Sequence, residues 1–182
     1  MIGVLVSGTG TNLQALLDEG LPVAAIASNQ EGVQALERGA RAGVSTAVFP
    51  LEEFASREER DLAMADWLEQ EGVEVVVCAG YMQLLTPAFL GRLPAINVHP
   101  SLLPAFPGLN AVGQALAAGV AETGVTVHFV DEGTDSGPVI LQEPVPVERG
   151  DTPETLYARI RPVEHRLLPQ AVRLYLTGLV RS

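Results

Sequence analysis

Asn97, His99 and Asp135 are the residues of this sequence whose types and spacing best suit catalysis. Asn97 and His99 alternate at the end of an expected strand over residues 95–98, so their side chains point to one side of a sheet edge where open α/β folds bind ligands. An amide donor beside a titratable imidazole suits the stabilisation of an oxyanion. Asp135 lies in an acidic loop between the last two expected strands, and a carboxylate beside His99 would make an acid–base pair. We call these three residues the trio.

The sequence also permits purely structural roles for the same residues. A strand-end histidine is more often structural than catalytic, and a solvated turn is an alternative interpretation of the acidic loop 131–137. A calcium loop is disfavoured there, because its glycine comes too early and the terminal bidentate Glu is missing. His128 fits a buried, hydrogen-bonded histidine, with a supporting role near Asp135 left open. No set of Cys, His and carboxylate residues has zinc-like spacing, so we expect chemistry without a metal.

A second candidate is the Ser-Gly-Thr-Gly-Thr-Asn turn over residues 7–12, which follows the first expected strand and opens a helix. Glycines allow backbone N–H groups to approach an anion, and the helix N-terminus adds partial positive charge. The turn therefore predicts a phosphate site. It is neither a Walker motif nor a full dinucleotide motif, because Leu13 occupies the third glycine position. A tight strand-to-helix turn capped by Thr11 is the structural alternative.

The elements that position these residues alternate between β-branched runs and amphipathic stretches. This pattern predicts an α/β fold, namely a doubly wound, mostly parallel sheet with helices on both faces. A proline-rich loop over residues 99–108 should lack regular structure, and Ser56 is a suitable helix N-cap. The expected strands cover residues 2–6, 23–28, 45–49, 73–79, 95–98, 124–130 and 139–147, and the expected helices cover 12–18, 32–42, 57–70, 114–118 and 153–176.

Composition sets the broad class. The chain has 182 residues, 47% of them hydrophobic, and we expect one globular domain over residues 1–182. A formal net charge of −11 disfavours a nucleic-acid partner, although a local phosphate pocket remains possible. The single cysteine, Cys78, lies in an apolar run, and we find neither a signal peptide nor an apolar run of the roughly 20 residues that a membrane span needs. We therefore expect a cytoplasmic protein without a membrane partner.

Four segments carry a family resemblance: residues 7–14, 80–82, 97–104 and 135–140. Together they closely resemble phosphoribosylglycinamide formyltransferase, a folate-dependent formyltransferase, and the likeness runs over essentially the whole chain. The His-Pro-Ser-Leu-Leu-Pro stretch marks the wider superfamily, and the Ser-Gly-x-Gly-x-Asn start narrows it. The resemblance implies a Rossmann-like domain that transfers the formyl group of 10-formyltetrahydrofolate, its co-substrate, to the amine of glycinamide ribonucleotide in purine biosynthesis.

The resemblance also implies roles for individual residues. Asn97 and His99 would stabilise the oxyanion of a tetrahedral intermediate, and Asp135 would orient His99 and relay protons. Gln83 stands where some members have Arg, which leaves the contact to the folate tail in doubt. The implied ribonucleotide site comprises Gly10, Thr11, Asn12, Arg57, Arg161 and Glu164, and the implied folate site comprises Met82, Gln83, Leu84, Leu85, Val130 and Asn97.

Three other functions remain as alternatives. Formyltetrahydrofolate deformylase would use the same pocket to let water attack, but such relatives usually carry an extra N-terminal domain, which we do not expect here. Methionyl-tRNA formyltransferase would need a C-terminal RNA-binding module and a basic surface. A non-catalytic nucleotide-binding protein would need only the glycine turn. We expect small-molecule substrates and a monomer or homodimer.

Overall fold

A computed structural model describes residues 1–181 of the chain. The chain divides into two compact units, Met1–Ile96 and a second unit that begins at Asn97. The strand β5 (Ala95–His99) starts in the first unit and ends in the second. The prediction that residues 1–182 form a single domain stays a prediction.

The first unit is built on parallel strands, as the sequence pattern predicted. β1 pairs in parallel with β2 on one side and with β4 on the other, and β2 pairs in parallel with β3. Every residue of β1 and β4 is buried, because both strands are apolar along their whole length. The four strands are β1 (Ile2–Val6), β2 (Val23–Ser28), β3 (Ser45–Val48) and β4 (Val75–Cys78).

The helices of this unit follow the expected order, with two additions. Ser56 caps α3 as predicted, since its Oγ accepts a hydrogen bond of 3.1 Å from the backbone N–H of Glu59. The additions are α4 and a 3₁₀ turn at Leu51–Glu53, and neither spans enough residues to show a helical period in the sequence. The helices are α1 (Thr11–Asp18), α2 (Gln34–Arg41), α3 (Arg57–Gln70) and α4 (Pro87–Leu90).

The second unit pairs two strands in antiparallel fashion and packs a long helix against them. β6 (Glu122–Phe129) and β7 (Val139–Pro146) form the hairpin, and α6 (Pro153–Leu176) contacts both strands. The remaining helix, α5, covers Ala111–Ala118. Residues 100–110 contain neither helix nor strand, as the prolines of this loop predicted.

Three expected boundaries were wrong for identifiable reasons. α5 begins at Ala111 and not at residue 114, because the N–H of Gln114 already donates to the carbonyl of Asn110. The fourth strand starts at Val75 and not at residue 73, because the N–H of Val73 closes the end of α3 on the carbonyl of Leu68. β6 begins at Glu122 and not at residue 124, because its first residues pair with the end of β7.

The other expected ends of helices and strands differ from the observed ones by one or two residues. Helix and strand ends are the parts whose hydrogen bonding is least regular. The helix expected over residues 32–42 is α2, Gln34–Arg41, and the strands expected to end at 49, 98, 130 and 147 end at 48, 99, 129 and 146. The first helix begins one residue earlier than expected, at Thr11. Within residues 1–181, no helix combines the length and the apolar character that a membrane span would need.

The turn between β1 and α1 depends on a glycine at position 10. Gly10 has φ +73°, and a Cβ there would lie 2.6 Å from the Cβ of Ala35 and 2.8 Å from its Cα. Both the backbone conformation and the close approach of α2 therefore exclude a larger residue. At Gly8, by contrast, a Cβ would meet nothing within 4 Å.

We predict that Gly10→Ala lowers the free energy of unfolding by about 2 kcal/mol, through backbone strain and a clash with Ala35. Gly8→Ala is the matched control and should change it by less than about 0.5 kcal/mol. Urea-induced unfolding of the two variants measures both values. Equal effects of the two substitutions would contradict this explanation of the turn.

Candidate active site

The trio meets at the end of β5. Asp135, from the loop between β6 and β7, lies with its Oδ2 3.4 Å from the Nδ1 of His99 and with its Oδ1 3.4 Å from the Nδ2 of Asn97. His99 is 5% exposed and Asn97 is half-buried. An amide, an imidazole and a carboxylate that are distant in sequence therefore converge, as acid–base and oxyanion chemistry would require.

The other ring nitrogen of His99 is held by the proline-rich loop. Its Nε2 lies 2.8 Å from the carbonyl oxygen of Phe106, which accepts a hydrogen bond from it. Phe106 has φ +53°, a conformation rarely adopted by a bulky residue. Nδ1 is therefore the ring nitrogen that faces the carboxylate of Asp135, and it carries a hydrogen only when the ring is protonated.

His128 is a further member of this cluster. Its side chain is 1% exposed, and its Nε2 lies 3.3 Å from the Nδ2 of Asn97 and 3.6 Å from the Oδ1 of Asp135. Its Nδ1 donates to the carbonyl of Phe129 at 2.8 Å, which fixes the ring. Sequence reasoning left its role open, and its position in β6, before the acidic loop, was the available signal.

The backbone of the acidic loop presents Asp135 in a strained conformation. Asp135 has φ +53°, and its Oδ2 accepts a hydrogen bond of 2.7 Å from the backbone N–H of Gly108. Two residues later a Cβ on Gly137 would lie 1.8 Å from the carbonyl oxygen of Phe129, so only glycine fits there. The Oδ1 of Asp131 accepts from the N–H of Gly133, which makes this segment a hydrogen-bonded turn.

These neighbours keep Asp135 negatively charged. Burial raises the pKa of its carboxyl group, but the hydrogen bonds with His128 and the backbone N–H of Gly108 and the electrostatic interactions with the rings of His99 and His128 outweigh burial, so the pKa lies below the ordinary value of 3.8. The carboxylate is therefore an anion that is partly removed from water and stabilised by the groups around it.

The glycine turn of the first unit leads directly into α1. Gly10 occupies the N-cap of α1 in a left-handed conformation, and it makes no side-chain cap hydrogen bond, so Thr11 does not take the capping position that the structural alternative gave it. Arg38, which sequence reasoning missed, donates from Nε to the carbonyl of Thr9 at 2.8 Å. No local signal links Arg38 to a turn 29 residues away. Asn12 is buried at the start of the helix.

The segment expected to bind folate follows β4 in the same unit. Met82 and Leu84 are 65% and 58% exposed, whereas Leu85 is buried and Gln83 is half-buried. The N–H of Met82 donates to the Oγ of Ser7 at 2.9 Å, which ties the segment to the end of β1. Two large apolar side chains, two residues apart in the sequence, are thus presented on the surface.

Four predicted site residues remain, on the two long helices and at the end of β6. Arg57 is exposed at the start of α3, and Val130 is half-buried directly after β6. On α6, the guanidinium of Arg161 lies 4.9 Å from the ring centre of Tyr157, whose hydroxyl donates to the Oε2 of Glu164 at 3.1 Å. Burial and the charge of Glu164 raise the pKa of Tyr157 to about 12, so this phenol stays protonated.

Comparisons with known proteins identify the family to which the chain belongs. The formyl transferase family model matches residues 1–172. Phosphoribosylglycinamide formyltransferase of Escherichia coli strain K12 is 41% identical, over 99% of this chain and 89% of that protein. The human trifunctional purine biosynthetic protein adenosine-3 is 43% identical over 99% of this chain, which spans 19% of its length.

A solved structure agrees with the sequence comparisons. The glycinamide ribonucleotide transformylase 1 of Symbiobacterium toebii is 49% identical, with a TM-score of 0.95 over 97% of this chain and 87% of that one. This likeness confirms the predicted α/β fold with its mostly parallel sheet. The first relatives found are trifunctional proteins, of which this chain spans 14 to 19%. On the family match and these identities, the chain belongs to the formyl transferase family.

Proposed function

We propose that this chain transfers the formyl group of 10-formyltetrahydrofolate to the primary amine of glycinamide ribonucleotide, as a step of purine biosynthesis. The main support for the proposal is that Asn97, His99 and Asp135 meet at the end of β5. The carboxylate oxygens of Asp135 lie 3.4 Å from the Nδ2 of Asn97 and 3.4 Å from the Nδ1 of His99. Relatives named for this reaction, 39% to 41% identical over 99% of the chain, support the choice of substrates.

The reaction requires an oxyanion to be stabilised. When an amine attacks a formyl carbon, the carbonyl oxygen gains negative charge, and donors aimed at that oxygen lower the barrier. Asn97 supplies its amide N–H, and His99 in its protonated form, with Nε2 donating to Phe106, supplies a second hydrogen from Nδ1. Both groups lie beside Asp135, so the donors are already oriented before substrate binds.

Asp135 has the second role, which is to move protons. The attacking nitrogen must lose a proton and the leaving folate nitrogen must gain one. An ionised carboxylate accepts a proton, and the lowered pKa of Asp135 keeps it ionised at neutral pH. We propose that Asp135 orients His99 and relays the proton, through water where the distance requires it.

The residues present fit the folate co-substrate. Met82 and Leu84 expose apolar surface, which the flat aromatic part of a folate would cover, while Leu85 anchors the segment in the core. We assign Gln83 to the same site, together with Val130 and Asn97. When bound, the folate supplies the activated formyl group, and the residues of the chain hold it in place.

We assign the ribonucleotide to two groups of residues. Gly10, Thr11 and Asn12 offer a helix N-terminus to its phosphate, and Arg38 adds positive charge beside the turn. Arg57 is a further candidate cation, exposed on α3. Glu164 and Arg161 lie together on α6, where Glu164 would receive the glycinamide amine and Arg161 would contact the phosphate.

The proposed setting is the cytoplasm, with the chain as a monomer or homodimer acting on small molecules. Cys78 is the single cysteine, and it is buried, with burial raising the pKa of its thiol to about 12. The thiol is therefore inert, which suits a compartment where disulfides do not form.

A formyl-transfer assay tests the proposal. Purified protein and 10-formyltetrahydrofolate are incubated with and without glycinamide ribonucleotide, and formylated product and free tetrahydrofolate are both measured. The proposal predicts folate turnover only with the ribonucleotide. Turnover in its absence would identify a deformylase, and no turnover in either case would favour a binding protein.

We predict that Asn97→Ala and His99→Ala each lower kcat about a hundredfold or more, because each removes one donor to the oxyanion. Asn97→Asp keeps the shape of the side chain, but it removes the N–H group and adds a negative charge beside Asp135, so its loss should be at least as large. Steady-state kinetics with both substrates saturating measures the effect. Full turnover by Asp135→Ala would remove the proton-relay assignment, and full turnover by Asn97→Asp would remove the oxyanion assignment.

We predict that Arg161→Ala raises the KM for glycinamide ribonucleotide about tenfold, through loss of a charge-assisted contact, and leaves the KM for the folate unchanged. Arg149→Ala is the control, because it removes the same charge from an exposed position outside the proposed site. Initial rates at varied ribonucleotide concentration give both constants. An unchanged KM for the ribonucleotide would show that Arg161 does not bind it.

A further inference from the structure

Alternate residues of β6 contact the active site and the proline-rich loop. Because successive side chains of a strand point to opposite faces, Gly124, Thr126 and His128 lie on one face of β6. His128 belongs to the cluster around the trio. A Cβ on Gly124 would lie 2.4 Å from the Cδ2 of Leu102, so the loop packs directly against this face. Thr126 lies between these two contacts, and it is fully buried.

The hydroxyl of Thr126 bonds the loop to the hairpin. It donates to the carbonyl of Ser101 at 2.7 Å and accepts from the backbone N–H of Leu103 at 3.1 Å. It also accepts at 2.8 Å from the Nε2 of Gln142, which pairs with Thr126 across the two strands and donates to the carbonyl of Leu103 at 2.9 Å. A hydroxyl has one donor and two acceptor sites, so the hydrogen-bonding capacity of Thr126 is fully used.

The loop is bonded to itself beyond this point. The Oγ of Ser101 donates to the carbonyl of Ala105 at 2.6 Å, and the N–H of Ala105 donates to the carbonyl of Leu102 at 3.0 Å. Ser101 is fully buried, so water does not compete for its hydrogen bonds. The position of Phe106, the next residue, is therefore linked to Thr126 through a continuous set of hydrogen bonds.

The carbonyl of Phe106 determines which nitrogen of His99 carries the hydrogen in the neutral ring. A carbonyl oxygen can only accept, so the Nε2 of His99, at 2.8 Å, donates to it. Nδ1 faces the Oδ2 of Asp135 at 3.4 Å. A carboxylate is the stronger acceptor, but here it is the more distant one. If Phe106 moved away, the hydrogen of the neutral ring would shift to Nδ1, toward Asp135.

We propose that Thr126 is a positioning residue of the active site, whose hydroxyl holds the loop so that the carbonyl of Phe106 keeps a hydrogen on the Nε2 of His99 and leaves Nδ1 as the nitrogen that gains and loses a proton beside Asp135. The inference rests on the proposed function and deepens it, because a neutral ring with its hydrogen already on Nδ1 cannot accept a further proton there. Thr126 acts on His99 through the loop.

Nitrogen-15 NMR of the His99 ring tests this role. In the neutral ring the ¹⁵N signals of Nδ1 and Nε2 show which nitrogen carries the hydrogen, and they are assigned by their loss in His99→Gln. We expect the hydrogen on Nε2 in the wild-type protein. Thr126→Val keeps the shape of the side chain but removes the hydroxyl, and it should shift the tautomer population toward Nδ1–H. Thr126→Ser retains the hydroxyl and should keep the wild-type tautomer.

Thr123→Val is the matched control. Thr123 lies on the same strand and is 1% exposed, and its Oγ1 has no hydrogen-bond partner among residues 1–181. The same substitution there removes a hydroxyl that does not bond to the loop, so the tautomer and the turnover should both stay at their wild-type values. The comparison separates the loss of the Thr126 hydrogen bonds from the general effect of a threonine-to-valine change in β6.

Steady-state kinetics gives a second readout. Thr126→Val should lower kcat about tenfold, because a displaced catalytic group costs rate. The KM values for the folate and for the ribonucleotide should change by less than about twofold, since Thr126 acts on the reacting groups and not on binding. Thr126→Ser should restore kcat to within about twofold of the wild-type value.

A second variant keeps the test decisive if Thr126→Val does not fold. Gln142→Met removes two hydrogen bonds from an exposed position, so its effect on folding should be small. It should shift the tautomer part of the way toward Nδ1–H and lower kcat about threefold. Gln170→Met makes the same change at an exposed position of α6 and should alter neither.

The outcomes distinguish this inference from the proposed function. A tautomer that depends on Thr126 in a protein without formyl transfer would overturn the proposed function and leave the positioning role in place. A wild-type neutral ring with its hydrogen on Nδ1 would overturn the positioning role, as would an unchanged tautomer in Thr126→Val or, if that variant does not fold, in Gln142→Met. Equal losses of kcat in Thr126→Ser and Thr126→Val would also overturn it, since the hydroxyl would not be the cause.

Discussion

The candidate active site depends on one partly buried negative charge, the carboxylate of Asp135. Burial opposes this charge, and the surrounding groups overcome the cost: Asn97 and Gly108 donate hydrogen bonds, and the rings of His99 and His128 lie within 3.6 Å. Because its pKa is lowered on folding, the anion stabilises the folded state above the ordinary pKa of 3.8, and this contribution is lost as the pH falls through the lower value.

The backbone is arranged to hold these groups, even where the local conformation is unfavourable. Asp135 and Phe106 both have φ +53°, and each presents an oxygen to His99, the carboxylate to Nδ1 and the main-chain carbonyl to Nε2. Strain of this kind persists only where surrounding contacts outweigh it, and it is concentrated at functional sites. Gly137 serves the same end, since it lets the acidic loop close against Phe129.

Most elements of the fold, and the three residues of the trio, could be predicted from the sequence. Apolar runs identified β1 and β4, and Ser56 marked the start of α3, because these signals are local. Alternation along β5 placed Asn97 and His99 on one side, but their distance from Asp135 is set by long-range packing that no local pattern encodes. Arg38 gave no signal for the same reason, since Thr9, whose carbonyl it bonds, is 29 residues away.

A pH titration followed by ¹³C NMR measures the pKa of the Asp135 carboxyl group directly. The resonance of its carboxyl carbon is assigned by its loss in Asp135→Asn. We predict a midpoint below pH 3.8 in the wild-type protein and a higher midpoint in His128→Phe, because that variant removes one of the groups that lower the pKa. A wild-type midpoint at or above 3.8 would contradict the claim that these neighbours stabilise the anion.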